Sequence, residues 1–460
     1  MSLSRLFEPE SIAVIGASAD EGKIGYAAMD NIRSFDGRVY PVNPSTGELF
    51  GHRCYDAIDE VDDRVDLALS CVPRQVTPAV VEECGEADVG GVVVYAAGFS
   101  EHTEEGSELE AEIVATAREH DLAVLGPNTS GFINANDGVI ASFVSDTDAV
   151  PAGNVAVVAQ SGGINHVLMF MAENNRVGIS KAIGLGNAAD TDFAEVITYL
   201  DADDDTESIL LHVEGTDDAR ALLETCRGVE TPVSIYKVGR EDVTDFAASH
   251  TGSMVGDYQL YEAGCAQYGV PMVDSCQELL DVGNAFASLP EPDGSNVALV
   301  TGQAGPGIAI TDRLKRAGTT LPSLSERTCE TIDDILPGLT YTSNPVDTGQ
   351  PPDPAAYETL LGAIAEDEAV DILLVYQLYE ERVEYPVDIL EGLVEDTGVP
   401  AVFATTGPSD AVDDAVERFH SAGIPAFQSP ERGAEAVNAL ATYAEMKTDS
   451  PTVTTAGSER

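Results

Sequence analysis

Short apolar runs rich in β-branched residues alternate along this chain with longer stretches in which apolar positions recur every three or four residues. The first runs are IAVIG (12–16), VYPVN (39–43), VDLALSCV (65–72), VGGVVVY (89–95) and LAVLG (122–126). Nearly continuous apolar runs predict strands buried on both faces, and the amphipathic stretches between them predict helices covering a parallel sheet. A second series runs through VAVVA (155–159), ISKAIGLG (179–186), ILLHVEG (209–215), VSIYKVG (233–239) and PMVDS (271–275), and a third through VALVTG (297–302), ILLVYQ (372–377), VPAVFATTG (399–407) and PAFQS (425–429). Breaks near Pro151 and in LPEPDGSN (289–296) divide the α/β pattern into expected domains at 1–150, 151–290 and 291–446. The Ser/Thr-rich residues 447–460 are expected to form a flexible tail.

The second and third series read as two copies of one unit. Each opens Asn-Val-Ala-(Val/Leu)-Val and runs into a small-residue loop, QSGG (160–163) or GQAGPG (302–307); each closes on a Gly-(Val/Ile)-Pro strand and a helix. They differ most before that last strand, where residues 240–268 stand against the much shorter 408–422. The insertion holds Ala247-Ala248-Ser249-His250-Thr251-Gly252-Ser253, the kind of loop elaboration that carries function on an α/β scaffold.

Charge changes the picture most. The 80 acidic residues against 23 basic ones give a formal charge of −57, spread over the predicted helices and loops instead of collected in a tail. Such a surface suits a salt-rich cytoplasm, where a Debye length of ~3 Å at molar salt screens self-repulsion, and it excludes nucleic acids and anionic membranes as general partners. No apolar stretch approaches the ~20 residues of a membrane span, and the N-terminus shows no signal-peptide pattern, so a cytoplasmic location is expected. The seven cysteines show no metal-ligand spacing, and no metal site is expected on this chain.

Three places carry candidate chemistry. The first strand ends in Gly16-Ala17-Ser18, followed by Gly22-Lys23-Ile24-Gly25 at a helix start, where close backbone N–H groups and the Lys23 charge suit a nucleotide phosphate. The pattern departs from GxGxxG, and the second strand runs into Tyr40-Pro41-Val42-Asn43 without a ribose-binding carboxylate, which weakens an NAD(P)-dependent dehydrogenase reading. Further loops on the same sheet edge are Val72-Pro73, Ala97-Gly98 and the segment around Asn128. Gln160-Ser161-Gly162-Gly163 opens a helix whose N–H groups suit an oxyanion, although a plain strand-to-helix turn has the same form. His250 is either a surface-loop histidine or a nucleophile; Glu214, at a strand end in the same domain, is the carboxylate that would fix its tautomer.

Taken in order, IAVIGAS, GKIGY, VYPVNP, VDLALSCVP, AAGFSE, GPNTSGFIN, AVVAQSGG, GLGNAADTD, HVEG, YKVGR, ASHTGSMVGD and NPVD resemble the ADP-forming acyl-CoA synthetases, of acetate–CoA ligase type, relatives of succinyl-CoA synthetase. The resemblance spans about residues 10–445 and implies a Rossmann-like CoA-binding domain followed by two flavodoxin-like succinyl-CoA-ligase-type domains. It implies that Gly16, Ala17, Ser18, Lys23, Gly25, Asn43, Val72, Pro73, Ala97, Gly98 and Asn128 serve coenzyme A. It also implies that Ser161, Gly162 and Gly163 lie at the phosphate site, that His250 is phosphorylated, and that Glu214 stabilises it. The family needs an ATP-grasp module for ADP/ATP and Mg2+, which this sequence does not show. The chain is therefore expected to be an α subunit, from a halophilic archaeon, in a hetero-oligomer with a β chain, acting on a small carboxylic acid and its acyl-CoA. Thr129, where the family usually has Cys, and Gly163, where a larger residue is common, depart from the pattern near the acyl pocket. A CoA-binding regulatory protein without its own catalysis is the alternative from another class.

Overall fold

The computed structural model describes residues 3–216, 218–240, 258–336, 341 and 343–449. His250 and the loop around it lie outside the described residues. The chain divides into two compact units, one of Met1–Tyr268 with Met272–Leu280, the other of Gly269–Pro271 with Asp281–Arg460.

In the first unit, strands β1 (Ser11–Ile15), β2 (Arg38–Val42), β5 (Leu67–Ser70), β6 (Gly91–Val94) and β7 (Ala123–Leu125) form a parallel sheet in the order β2-β1-β5-β6-β7, with a short hairpin of β3 (Glu48–Leu49) and β4 (His52–Arg53) beside it. β1, β5 and β6 are buried along their whole length, as strands covered on both faces must be. Because β1 is followed on one side by β2 and on the other by β5, their carboxyl ends flank a crevice at the point where strand order reverses. Gly16 leaves β1 with φ of +86°, and Gly25, in the helix Ile24–Asn31, presses so closely that an added Cβ would stand 2.1 Å from the Gly16 carbonyl oxygen. Only glycine lets that helix start against the end of the strand.

The second sheet runs β14-β13-β12-β10-β11-β8-β9, built from β8 (Gly131–Asn134), β9 (Val139–Ser142), β10 (Ala152–Ala159), β11 (Ile179–Gly184), β12 (Ser208–Val213), β13 (Val233–Lys237) and β14 (Met272–Val273). β10 to β14 are parallel, whereas β8 and β9 are an antiparallel pair added against β11. Residues 131–142 therefore extend the second sheet although they precede the break read near Pro151. Sheet-to-sheet ties follow: Asn31 Nδ2 donates to the Ser142 and Val144 carbonyls, and Asn134 Nδ2 to that of Phe7. Beneath β11, the buried Lys181 ammonium meets Asp203 at 2.8 Å.

The second unit holds β15 (Val297–Thr301), β16 (Val346–Asp347), β17 (Ile372–Leu378), β18 (Ala401–Thr406) and β19 (Ala426–Phe427) in the parallel order β16-β15-β17-β18-β19. This order matches β11-β10-β12-β13-β14 strand for strand, which is how a duplicated unit would fold. The last helix, Pro430–Asp449, continues through Lys447, whose ammonium pairs with Glu291, so helix replaces the first three residues of the expected tail.

Candidate active site

A second reversal of strand order lies between β10 and β12. β10 runs into Gln160, and the helix Gly162–Asn175 starts at once, capped by the Ser161 hydroxyl, which accepts from the Ile164 N–H at 3.4 Å. The first N–H groups of a helix have no partner within it, so those of Gly162 and Gly163 point outward with the positive end of the helix dipole. Gln160 reaches across the switch point: its Oε1 accepts from the N–H groups of Glu214 and Gly215 at 2.9 and 3.0 Å. Lys237 closes the arrangement from β13. It is 1% exposed, and its Nζ donates to the Glu214 carbonyl at 2.8 Å and to that of Val238. The end of β12 that carries Glu214 is thus fixed by one side-chain acceptor and one buried cation.

Burial governs the electrostatics here. It pulls the Lys237 pKa below the ordinary lysine value, with the Glu214 charge opposing. It also pushes His212, on β12, down to about 4, helped by the Lys237 charge, so His212 is neutral near pH 7. His166, one turn into the helix Gly162–Asn175, is lowered by burial as well.

A cleft of about 1260 Å³ within the first unit joins this switch point to the loops of the first sheet. Ala97, Gly98 and Asn128 line it from one side, Ser161, Gly162 and Gly163 from the other, and Gly215 brings the Glu214 strand end to its rim. The remaining expected residues gather at the β1/β5 crevice. Asn43 Nδ2 donates to the Ala17 carbonyl at 2.7 Å, and the Ser18 hydroxyl accepts from the Asp20 N–H at 3.0 Å. Val72 lies against Gly16, Gly25 packs on it, and Lys23 and Pro73 are exposed beside them.

Apart from Thr129, the site features that follow were not singled out in the sequence. Asn187 holds the two walls together: its amide nitrogen donates to Glu101 and Glu110, both at 2.8 Å, while its oxygen accepts from Asn128 Nδ2 at 3.2 Å. Arg74 donates to the Gly98 carbonyl. Thr129, 2% exposed, donates to the Gly184 carbonyl at the end of β11 and accepts from the Gly131 N–H at 2.9 Å, so its hydroxyl ties the loop that follows β7 to β11 and β8 of the second sheet. Gln160 and Lys237 stand inside the AVVAQSGG and YKVGR segments, but nothing in those strings reveals that both grip Glu214. Among the described residues no group of three or more His, Cys, Asp or Glu is arranged to hold a metal.

Residues 10–135 match the CoA binding domain family, and residues 152–286 match the succinyl-CoA ligase like flavodoxin domain family. Over 462 residues the chain is 35% identical to the α subunit of acetate–CoA ligase [ADP-forming] I of Pyrococcus furiosus, covering 97% of this chain and 99% of that one. The chain belongs to the ADP-forming acetate–CoA ligase family. The α subunit of isoenzyme II from the same organism is 34% identical, with 96% of this chain and 98% of that one covered. Acetate–CoA ligase [ADP-forming] I of Archaeoglobus fulgidus is 35% identical across 96% of this chain, which spans 64% of that longer protein. In three dimensions the chain matches the dinucleotide forming acetyl-coenzyme A synthetase 1 of Ca. Korarchaeum cryptofilum, solved with phosphate and ADP, at a TM-score of 0.88 and 33% identity over 97% of each chain. The chain is thus an α-subunit-type member of a ligase family, and its first domain is of the CoA-binding kind. Among the described residues no helix is long and apolar enough to cross a membrane.

Proposed function

We propose that this chain is the catalytic α subunit of an ADP-forming acyl-CoA synthetase, reversibly converting acyl-CoA, ADP and phosphate to the free acid, CoA and ATP. The observation that carries this reading is the cleft in which first-sheet loops meet the helix N-terminus at Ser161–Gly163, beside a Glu214 strand end fixed by Gln160 and Lys237.

In the proposed cycle CoA binds through Gly16–Ser18, Lys23, Gly25, Asn43, Val72, Pro73, Ala97, Gly98 and Asn128, with its thioester end in the cleft. Phosphate, held by the N–H groups at Ser161–Gly163, attacks the thioester carbonyl. The C–S bond breaks, the thiolate leaves as CoA, and an acyl phosphate remains. A ring nitrogen of His250 then attacks phosphorus, the carboxylate leaves with the bridging oxygen, and Glu214 stabilises the cationic phosphorylated ring. The phosphoryl group passes to ADP, bound with Mg2+ on a separate ATP-grasp β chain. Preorganised backbone donors supply most of the stabilisation of the negative charge in transit. The spans 1–150, 151–290 and 291–446 serve as CoA-binding, phosphohistidine and second ligase-like domains, with residues 131–142 of the first lending two strands to the sheet of the second. The third keeps the topology, but the register of β17 against β15 places Leu378 where β12 carries Glu214, so it lacks the stabilising carboxylate.

The acidic surface fits a halophile's cytoplasm. Calorimetry in molar KCl tests the reading: the folded chain should bind CoA, and Lys23→Ala should weaken binding about tenfold by loss of a charge-assisted phosphate contact. A folded chain that binds no CoA would refute it.

A further inference from the structure

The first-sheet side of the cleft contains two hydroxyls that the fold buries and leaves without a partner. Tyr95 and Ser130 line the cleft and are 4% and 6% exposed, yet neither Tyr95 Oη nor Ser130 Oγ makes a hydrogen bond. A buried hydroxyl left unpaired costs stability, and such groups persist where a ligand completes them. Ser130 stands at the oxyanion end of the cleft, and the Tyr95 ring packs against the next residue, Gly131. A Cβ built on Gly162 would lie 3.1 Å from Ser130 Oγ, and one on Gly184 would lie 2.8 Å from it, so the hydroxyl sits against the first residue of the helix Gly162–Asn175. The Tyr95 ring touches Gly131 on one side and meets Phe143 edge-on at 5.3 Å between ring centres. Phe143 and Val144 give this part of the cleft an apolar wall.

Charge sets a second condition. No lysine or arginine lines the cleft among the described residues, whereas Glu101, Glu110, Asp192 and Asp218 do. Apart from the imidazoles of His102 and His166, an anionic oxygen meets only hydroxyl, amide and backbone donors there, and a second carboxylate on the same ligand would face those four acidic side chains.

We propose that Tyr95 and Ser130 are the specificity residues of the acyl subsite, their hydroxyls donating to the acyl carbonyl oxygen while Phe143 limits the chain and the acidic side chains of the cleft disfavour a second carboxylate on it. Burial holds the Tyr95 phenol well above its ordinary pKa, which keeps it a donor at all working pH values. This inference rests on the acyl-CoA reading above.

Calorimetry on the full chain with CoA, acetyl-CoA, hexanoyl-CoA and succinyl-CoA tests both readings separately. Wild type should bind acetyl-CoA at least as tightly as CoA and succinyl-CoA roughly tenfold more weakly than acetyl-CoA. Tyr95→Phe should leave the CoA affinity unchanged and lower the acetyl-CoA to CoA affinity ratio by roughly three- to tenfold, the worth of one hydrogen bond. Ser130→Ala should do the same, which guards against loss of folding in the first variant, and Phe143→Ala should improve hexanoyl-CoA relative to acetyl-CoA. Absence of CoA binding in wild type removes the acyl-CoA reading itself. With CoA bound normally, an unchanged ratio in both hydroxyl variants, or succinyl-CoA held as tightly as acetyl-CoA, overturns the subsite alone.

Discussion

Replacing Gln160 by Leu removes one acceptor and strands two donors. Its Oε1 receives the Glu214 and Gly215 N–H groups at 2.9 and 3.0 Å, and Leu ends one atom short of that position with no oxygen to accept them. Each lost bond costs about 1 kcal/mol net, and more if the freed N–H finds no water, so the pair is worth about 2 kcal/mol. For a unit of this size that lowers the melting midpoint by roughly 4 °C. If the same energy appears as displacement of Glu214 from its working position, turnover falls roughly thirtyfold. Lys237 still holds the Glu214 carbonyl from the other side, so the strand end should shift without unravelling. Differential scanning calorimetry and thioester formation with the β chain measure the two effects, with Gln160→Glu as the control that still accepts both N–H groups and should restore the midpoint. A Gln160→Leu protein unchanged in both midpoint and turnover would falsify the view that this side chain fixes the Glu214 strand end.

His212 gives a pH dependence of known sign. Its folded pKa of about 4 lies below the ordinary 6.5, so the unfolded chain binds more protons between those values. Its contribution is full above about pH 6.5 and is lost as pH falls through 4, by about 3 kcal/mol at most. Denaturant melts of wild type and His212→Gln across that window should converge toward the acid end; parallel curves would show that His212 does not titrate between the two states. The charge of −57 implies that circular dichroism will show loss of structure on dialysis to low salt and retention in molar KCl, and a salt-independent midpoint would remove the halophile reading.

Apart from the two-residue β16, which was not read, the parallel strands were legible because strands buried on both faces must be almost wholly apolar, a local property that survives without tertiary information. β8 and β9 were not read, although Asp137-Gly138 between short alternating runs is a turn signal. Each strand is only four residues long, and the pair is placed by β8 bonding to β11 more than forty residues away, with β9 bonded to β8 alone. Of the candidate site, the glycine turns were visible because a close backbone approach needs glycine. The grips of Gln160 and Lys237 on Glu214, and of Asn187 on both cleft walls, were not. They join a polar side chain to groups from other elements, and no periodicity encodes such a contact. Tyr95 and Ser130 stood inside an apolar run and a Gly-Pro-Asn loop where nothing marks an unpaired hydroxyl.

The central claim is that His250 carries the phosphoryl group. Incubating the chain with its β partner and radioactive ATP, then splitting the sample between acid and alkali, tests this directly, because phosphohistidine is lost in acid and survives base. The label should sit on the peptide containing His250, vanish in acid, persist in alkali, and be absent from His250→Ala, while that variant still binds CoA. A His250→Ala protein that takes up label with the same acid lability would place the relay on another residue and contradict the mechanism.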